Sequence, residues 1–109
     1  MNLSTLYHTR PEAFDRVLDA LTERSARHFG ATLADVRGPK RYPHLCEARR
    51  LATALARQRG ATLEQIGGYL GGRHHTTVLH SLTKHENLLQ TEPAYALLWT
   101  QIQREPAAL

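Results

Sequence analysis

The stretch Thr62-Leu63-Glu64-Gln65-Ile66-Gly67-Gly68-Tyr69-Leu70-Gly71-Gly72-Arg73-His74-His75-Thr76-Thr77-Val78-Leu79-His80 decides the fold. Thr62 reads as a helix cap, because its hydroxyl can accept from a free amide of the first turn. Leu63, Ile66 and Leu70 then recur at helical spacing, with Gly67 where a neighbouring helix can come close. Gly71-Gly72 break this helix. Past Arg73 a longer one carries Val78, Leu79, Leu82, His85 and Leu89 on one side, up to the Thr91-Glu92-Pro93 break. A short helix, a tight glycine turn and a longer helix form a helix-turn-helix. In that arrangement the first residues of the second helix enter the major groove of duplex DNA. Here they are His74, His75, Thr76 and Thr77, polar and compact at the positive end of the helix dipole. An ordinary solubilised helix start shows Asp or Glu instead.

Working outward, the remaining chain is also helical. Thr9-Arg10-Pro11-Glu12 reads as a start in which Thr9 caps and Glu12 completes a capping box. Phe14, Val17, Leu18, Leu21, Ser25 and Phe29 follow at helical spacing until Gly30. Thr32 opens one short turn with Leu33 and Val36. Pro43 opens a helix with Leu45, Ala48, Leu51, Ala52, Leu55 and Ala56 on one stripe, stopped at Gly60. A last helix with Tyr95, Leu98, Trp99 and Ile102 reads as a lid, Trp99 being a core residue. Nothing alternates with period two. The fold class is all-α, with residues 1–8 as an N-terminal segment and 9–105 as a single helical domain. Residues 31–38 echo 61–68 in pattern, the same cap-and-short-helix device used twice, far below the period of a repeat protein.

At 109 residues there is room for one domain and a modest core. The net charge of +4 is unevenly placed. Residues 1–36 carry four Arg against five acids, and residues 74–109 two bases against three acids, each a net of −1. Residues 37–73 carry eight bases against two acids, a net of +6. That middle third predicts a polyanion-facing patch rather than a surface of interleaved salt bridges. The single Cys46 excludes an internal disulfide and suits a reducing cytoplasm. No apolar run is long enough for a membrane span, and no signal-peptide pattern opens the chain. No Gly-x-x-x-x-Gly-Lys-[Ser/Thr] is present, so a P-loop nucleotide engine is excluded. The chain is expected to bind rather than catalyse, with no cofactor.

The run Gly71-Gly72-Arg73-His74-His75-Thr76-Thr77-Val78-Leu79-His80 resembles the signature of the C-terminal domain of the bacterial replication initiator DnaA, Gly-Gly-Arg-Asp-His-[Ser/Thr]-Thr-Val followed by an apolar residue and His. Thr62-Leu63-Glu64-Gln65-Ile66-Gly67 and Ala48-Arg49-Arg50-Leu51-Ala52 extend the likeness, and Lys40-Arg41 fall where that family has a basic loop. The resemblance covers roughly residues 14–104 and implies a six-helix, Trp-repressor-like fold with double-stranded DNA as ligand. It implies that Arg41 reaches into a narrow A·T-rich minor groove. It implies that Arg49, Arg50 and Arg57 face phosphates on or near the long helix, and that Thr62 is a phosphate-contacting cap. His74, His75, Thr76 and Thr77 would meet bases, sugars and phosphates in the major groove, and Arg73 is expected to add a phosphate or groove contact. Two departures stand out. The family's Asp is His74 here, and a carboxylate can accept from cytosine's amino group, whereas an imidazole donates or accepts according to its tautomer. The initiator's ATPase and N-terminal partner-binding domains do not appear, so a DNA-reading module standing alone is expected, regulating replication initiation or transcription.

Other readings of the same residues compete. Seven histidines invite a metal, but His74, His75 and His80 lack the i,i+4 ligand pairing a zinc site uses. Cys46 is better placed as a small packed or surface residue than as a nucleophile. Lys84 and His85 are candidates for phosphate contact, set against a solvated lysine and a half-buried histidine. A protein-docking adaptor for the replication machinery, without its own DNA site, is the alternative function, and contact with a replication regulator fits either. Such an adaptor needs neither the +6 segment nor the Gly-Gly-Arg-His-His-Thr-Thr turn. No heptad or apolar stripe calls for a dimer, so a monomer is expected.

Overall fold

Prolines open three of the helices that build this domain: Pro11, Pro43 and Pro93 each occupy the first turn, where the missing N–H costs nothing. The computed structural model describes residues 2–105. Among them run seven helices and no strand: α1 (Leu3–Thr9), α2 (Pro11–Arg27), α3 (Leu33–Arg37), α4 (Pro43–Gln58), α5 (Leu63–Tyr69), α6 (His75–Thr91) and α7 (Pro93–Arg104). The all-α expectation holds, and α2–α7 are the six helices the pattern marks out.

Helix α1 is the addition. Asn2 caps it by accepting from the Ser4 amide at 2.8 Å, and the Leu3 amide donates to the Arg59 carbonyl at 2.8 Å. Leu3 is 2% exposed and joins the core. Thr9 does not cap α2. It is the last residue of α1, and its hydroxyl donates to the Thr5 carbonyl at 2.9 Å, while Arg10 takes the cap position of α2 without a side-chain bond. A threonine back-bonded into the preceding helix cannot also reach forward.

Helix α4 is the hub, packed against α2, α3, α5 and α6. Its run Leu51–Ala56 is buried all round, which small alanines make possible by letting neighbours approach closely. Phe14, Leu18, Leu51, Leu55, Ile66 and Ile102 are the large side chains at its centre, each contributing about 1.5–3 kcal/mol by leaving water. Ser25 ties α2 to α4 by donating to the Ala48 carbonyl at 2.7 Å. The Tyr69 hydroxyl donates to Asp19 at 2.5 Å, and burial together with that bond raises its pKa. The Arg37 guanidinium lies 4.2 Å over the Tyr69 ring, so α2, α3 and α5 meet at one tyrosine. At the far end Glu105 pairs with Arg27 and His28, securing the end of α7 to α2.

The echo between residues 31–38 and 61–68 is half real. Thr32 with Asp35 and Thr62 with Gln65 both form complete capping boxes. The exits differ, because α3 stops at Gly38 whereas α5 runs on through Gly67 and Gly68.

His85 is buried rather than phosphate-facing. Its Nδ1 pairs with the Tyr95 hydroxyl at 2.7 Å, and its ring meets Trp99 edge-on at 4.5 Å. Burial pushes its pKa below the ordinary 6.5, opposed by Glu86 and reinforced by Arg50. Burial likewise pushes the Tyr95 phenol up to about 12. The unfolded chain therefore takes up a proton that folded His85 refuses. Stability is expected to be fully present above about pH 6.5 and to fall as the pH drops from there toward the folded pKa, by up to about 1.4 kcal/mol per pH unit. Urea midpoints between pH 5 and pH 7 read this out. A His85→Asn variant that keeps the same slope would assign the loss to another group.

Candidate nucleic-acid interface

Local chemistry shapes the helix-turn-helix. The Gln65 amide donates to the Thr62 hydroxyl at 3.1 Å, and the Thr62 amide to the Gln65 side-chain oxygen at 3.0 Å. Two orphan donors are thus satisfied at the start of α5. After Tyr69 the chain reverses through Gly71 and Gly72, both at positive φ (79° and 81°), conformations that favour glycine. The Arg73 amide closes the turn on the Gly67 carbonyl at 2.8 Å. A Cβ on Gly67 would lie 2.1 Å from the Arg73 carbonyl oxygen, so the close approach expected at Gly67 is made chiefly by the backbone of the turn rather than by a neighbouring helix.

Helix α6 begins at His75 with His74 as its cap, and His74, His75, Thr76 and Thr77 are all exposed. Val78 is buried beneath them, but Leu79 is 47% exposed, contrary to the expectation that it faces inward. The inward stripe is Val78, Leu82, His85 and Leu89; Leu79 stands about 100° round the helix from Val78.

Two arginines organise the loop between α3 and α4. Arg49 is 8% exposed and donates to the Val36 carbonyl at 2.7 Å, and to those of Gly38 and Lys40 at 3.1 Å each, with a longer bond to Asp35. Arg73 donates to the Gly38 carbonyl at 2.7 Å and to the Leu70 carbonyl. Gly38 therefore receives one guanidinium from α4 and one from the helix-turn-helix turn. This departs from the expectation that Arg49 faces phosphate: its planar fork bridges the curled carbonyls of Val36, Gly38 and Lys40. Lys40 and Arg41, both exposed, project from the loop so held.

The groove between this loop, α4 and α6 encloses about 280 Å³. Arg41, Arg49, Arg50, Arg73 and Lys84 line it together with Thr77, His80 and Ser81, and no carboxylate does. Burial lowers the pKa of Arg73, and the neighbouring Arg49 and Arg41 charges lower it further. Burial is likewise the main cause lowering that of Arg49. Like charges gathered over a partly dry floor create a potential that an anion relieves. Of the residues marked in the sequence, Arg41, Arg49, Arg50, Arg73 and Thr77 converge here, Lys40 adjoins Arg41, and His74, His75 and Thr76 precede Thr77 on α6. Arg57 lies elsewhere, donating to the Ala61 carbonyl at 2.9 Å and lining a hollow beside Leu82 and Trp99. Thr62 lines neither. His80 and Ser81 join the site although, beyond Thr77, the sequence marks Lys84 and His85 for phosphate contact and weighs His80 only as a metal ligand; the signal for them is the spacing Thr77, His80, Ser81, Lys84, one face of a helix.

A helix-turn-helix whose second helix borders a carboxylate-free cationic groove defines the class of this protein as a helix-turn-helix domain. Residues 18–84 match the family described as bacterial dnaA protein helix-turn-helix, and the chain belongs to that family. It is 35% identical over 80 residues to the chromosomal replication initiator protein DnaA of Cereibacter sphaeroides, covering 72% of this chain and 18% of that protein. Against the protein of the same name from Thermomicrobium roseum it is 42% identical over 67 residues, 61% of this chain and 14% of the relative. Against that of Acinetobacter baylyi the identity is 37% over 71 residues, 64% and 15%. The chain thus spans less than a fifth of the length of these relatives. Among the described residues no helix is long and apolar enough to cross a membrane.

Proposed function

We propose that this protein binds double-stranded DNA sequence-specifically as a monomer, laying the start of α6 in the major groove and Arg41 in the adjacent minor groove. Through the sites it occupies it regulates replication initiation or transcription. The observation that carries this reading is the groove in which five cationic side chains and no carboxylate border the exposed polar face of α6. Arg50, Arg73 and Lys84 supply phosphate contacts, and His74 to Thr77 meet base edges. Arg49 acts indirectly by holding the loop. Among the described residues the four large exposed apolar side chains, Tyr7, Tyr42, Leu79 and Leu97, are spread over α1, the loop before α4, α6 and α7, which supports a monomer.

Selection of bound duplexes from a random pool tests the reading and reveals the site, whose overlap with replication origins or promoters separates the two roles. With Arg50, Arg73 and Lys84 on phosphates and Arg41 in the minor groove, four cations displace counterions, and log K is expected to fall against log salt with a slope of roughly −3 to −4. Arg41→Ala should weaken binding most at A·T-rich flanks. A slope near zero, with no enriched sequence, would remove the DNA-binding reading and leave the adaptor role.

A further inference from the structure

We infer that His74 is a specificity-determining residue that presents a hydrogen-bond donor, Nε2–H, to the base edge, and so rejects cytosine on the strand it reads; this rests on the duplex-reading role proposed above. In the major groove cytosine offers only its amino donor, whereas guanine, adenine and thymine each offer an acceptor. An acidic residue at this position selects the opposite way.

The tautomer follows from the cap. His74 has extended backbone (φ −66°, ψ 148°) and stands as N-cap of α6. The Thr76 amide donates to His74 Nδ1 at 3.2 Å, and the Thr76 hydroxyl lies 2.7 Å from the same nitrogen. An amide N–H can only donate, so Nδ1 carries a bare lone pair and the proton of the neutral ring sits on Nε2. In the other tautomer Nδ1–H would oppose the Thr76 N–H and strip a first-turn amide of its partner. Nε2 lies across the ring from Nδ1, away from the cap, on an exposed side chain. The His75 ring, 4.2 Å away at 33°, limits how the imidazole can turn. The contact that starts the recognition helix therefore also decides which hydrogen-bonding character the helix offers to DNA.

Two measurements test this. Nitrogen-15 NMR of the imidazole in the free protein is expected to show the proton on Nε2; a proton on Nδ1 would overturn the inference without touching the duplex-reading role. Duplex selection is then run with the parent chain and with His74→Asp, whose carboxylate is an equally good cap, so that matched melting temperatures establish an intact fold. At one base position the parent should deplete cytosine and the variant enrich it, by roughly 5- to 150-fold. Identical preferences at every position would sink the inference while leaving the proposed function standing. Failure of both proteins to enrich any sequence would remove the proposed function itself.

Discussion

Gly67→Ala is expected to lower stability by about 3 kcal/mol and to abolish the sequence-specific DNA binding proposed above. The added methyl would stand 2.1 Å from the Arg73 carbonyl oxygen and 3.4 Å from Val78. Backbone oxygen cannot swing aside as a flexible side chain can, so either α5 or the turn must move. Moving the turn breaks the Arg73 amide bond to the Gly67 carbonyl and shifts the start of α6, where the residues proposed to meet base edges sit. Gly68 supplies the control on the same helix. A Cβ there meets nothing within 4 Å, and Gly68→Ala is expected to stabilise by about 0.5–1 kcal/mol through helix propensity. Urea unfolding of the pair checks the contrast. Equal midpoints for the two variants would mean that the close approach of α5 to the turn is absent in solution.

Arg49→Met is the second large effect, about 2–3 kcal/mol of stability and at least roughly tenfold in DNA affinity. The guanidinium bonds the carbonyls of Val36, Gly38 and Lys40, so its removal takes that donor from Val36 and Lys40, leaves Gly38 to Arg73 alone, and loosens the loop that carries Arg41. The salt slope should change little, because Arg49 is occupied inside the protein. Arg49→Lys separates clamp from charge. A phosphate-facing residue would be largely rescued by lysine, whereas an ammonium cannot span carbonyls that a planar fork bridges. Full recovery of affinity in Arg49→Lys, with a slope reduced by about one in Arg49→Met, would return Arg49 to the phosphate contacts.

The helix-turn-helix was legible because what makes it is local. Thr62 and Gln65 lie three residues apart, Gly71 and Gly72 adopt positive φ in their own turn, and the apolar stripe of α6 repeats within one helix. The cationic face was half legible. Charge counting found the middle third of the chain, and the family signature marked the start of α6. Neither could tell Arg49 from Arg50, which are neighbours in sequence and about 100° apart on α4.

The sequence by itself determined the helix class, the turn and the polar start of the recognition helix, since caps, glycines and periodicity act over one or two turns. Tertiary structure decided the rest. Helix α1 has seven residues, too few to be stable alone, and exists because Leu3 enters the core and its amide meets Arg59. Leu79 is exposed because the core covers only the face of α6 that carries Val78, and Leu79 stands about 100° round from it. Arg49 turns inward because Gly38 and Lys40, nine or more residues away, bring their carbonyls to it; Arg73 reaches the same Gly38 carbonyl from 35 residues on. Such partners are chosen by how helices pack, and one-dimensional spacing carries no record of that choice.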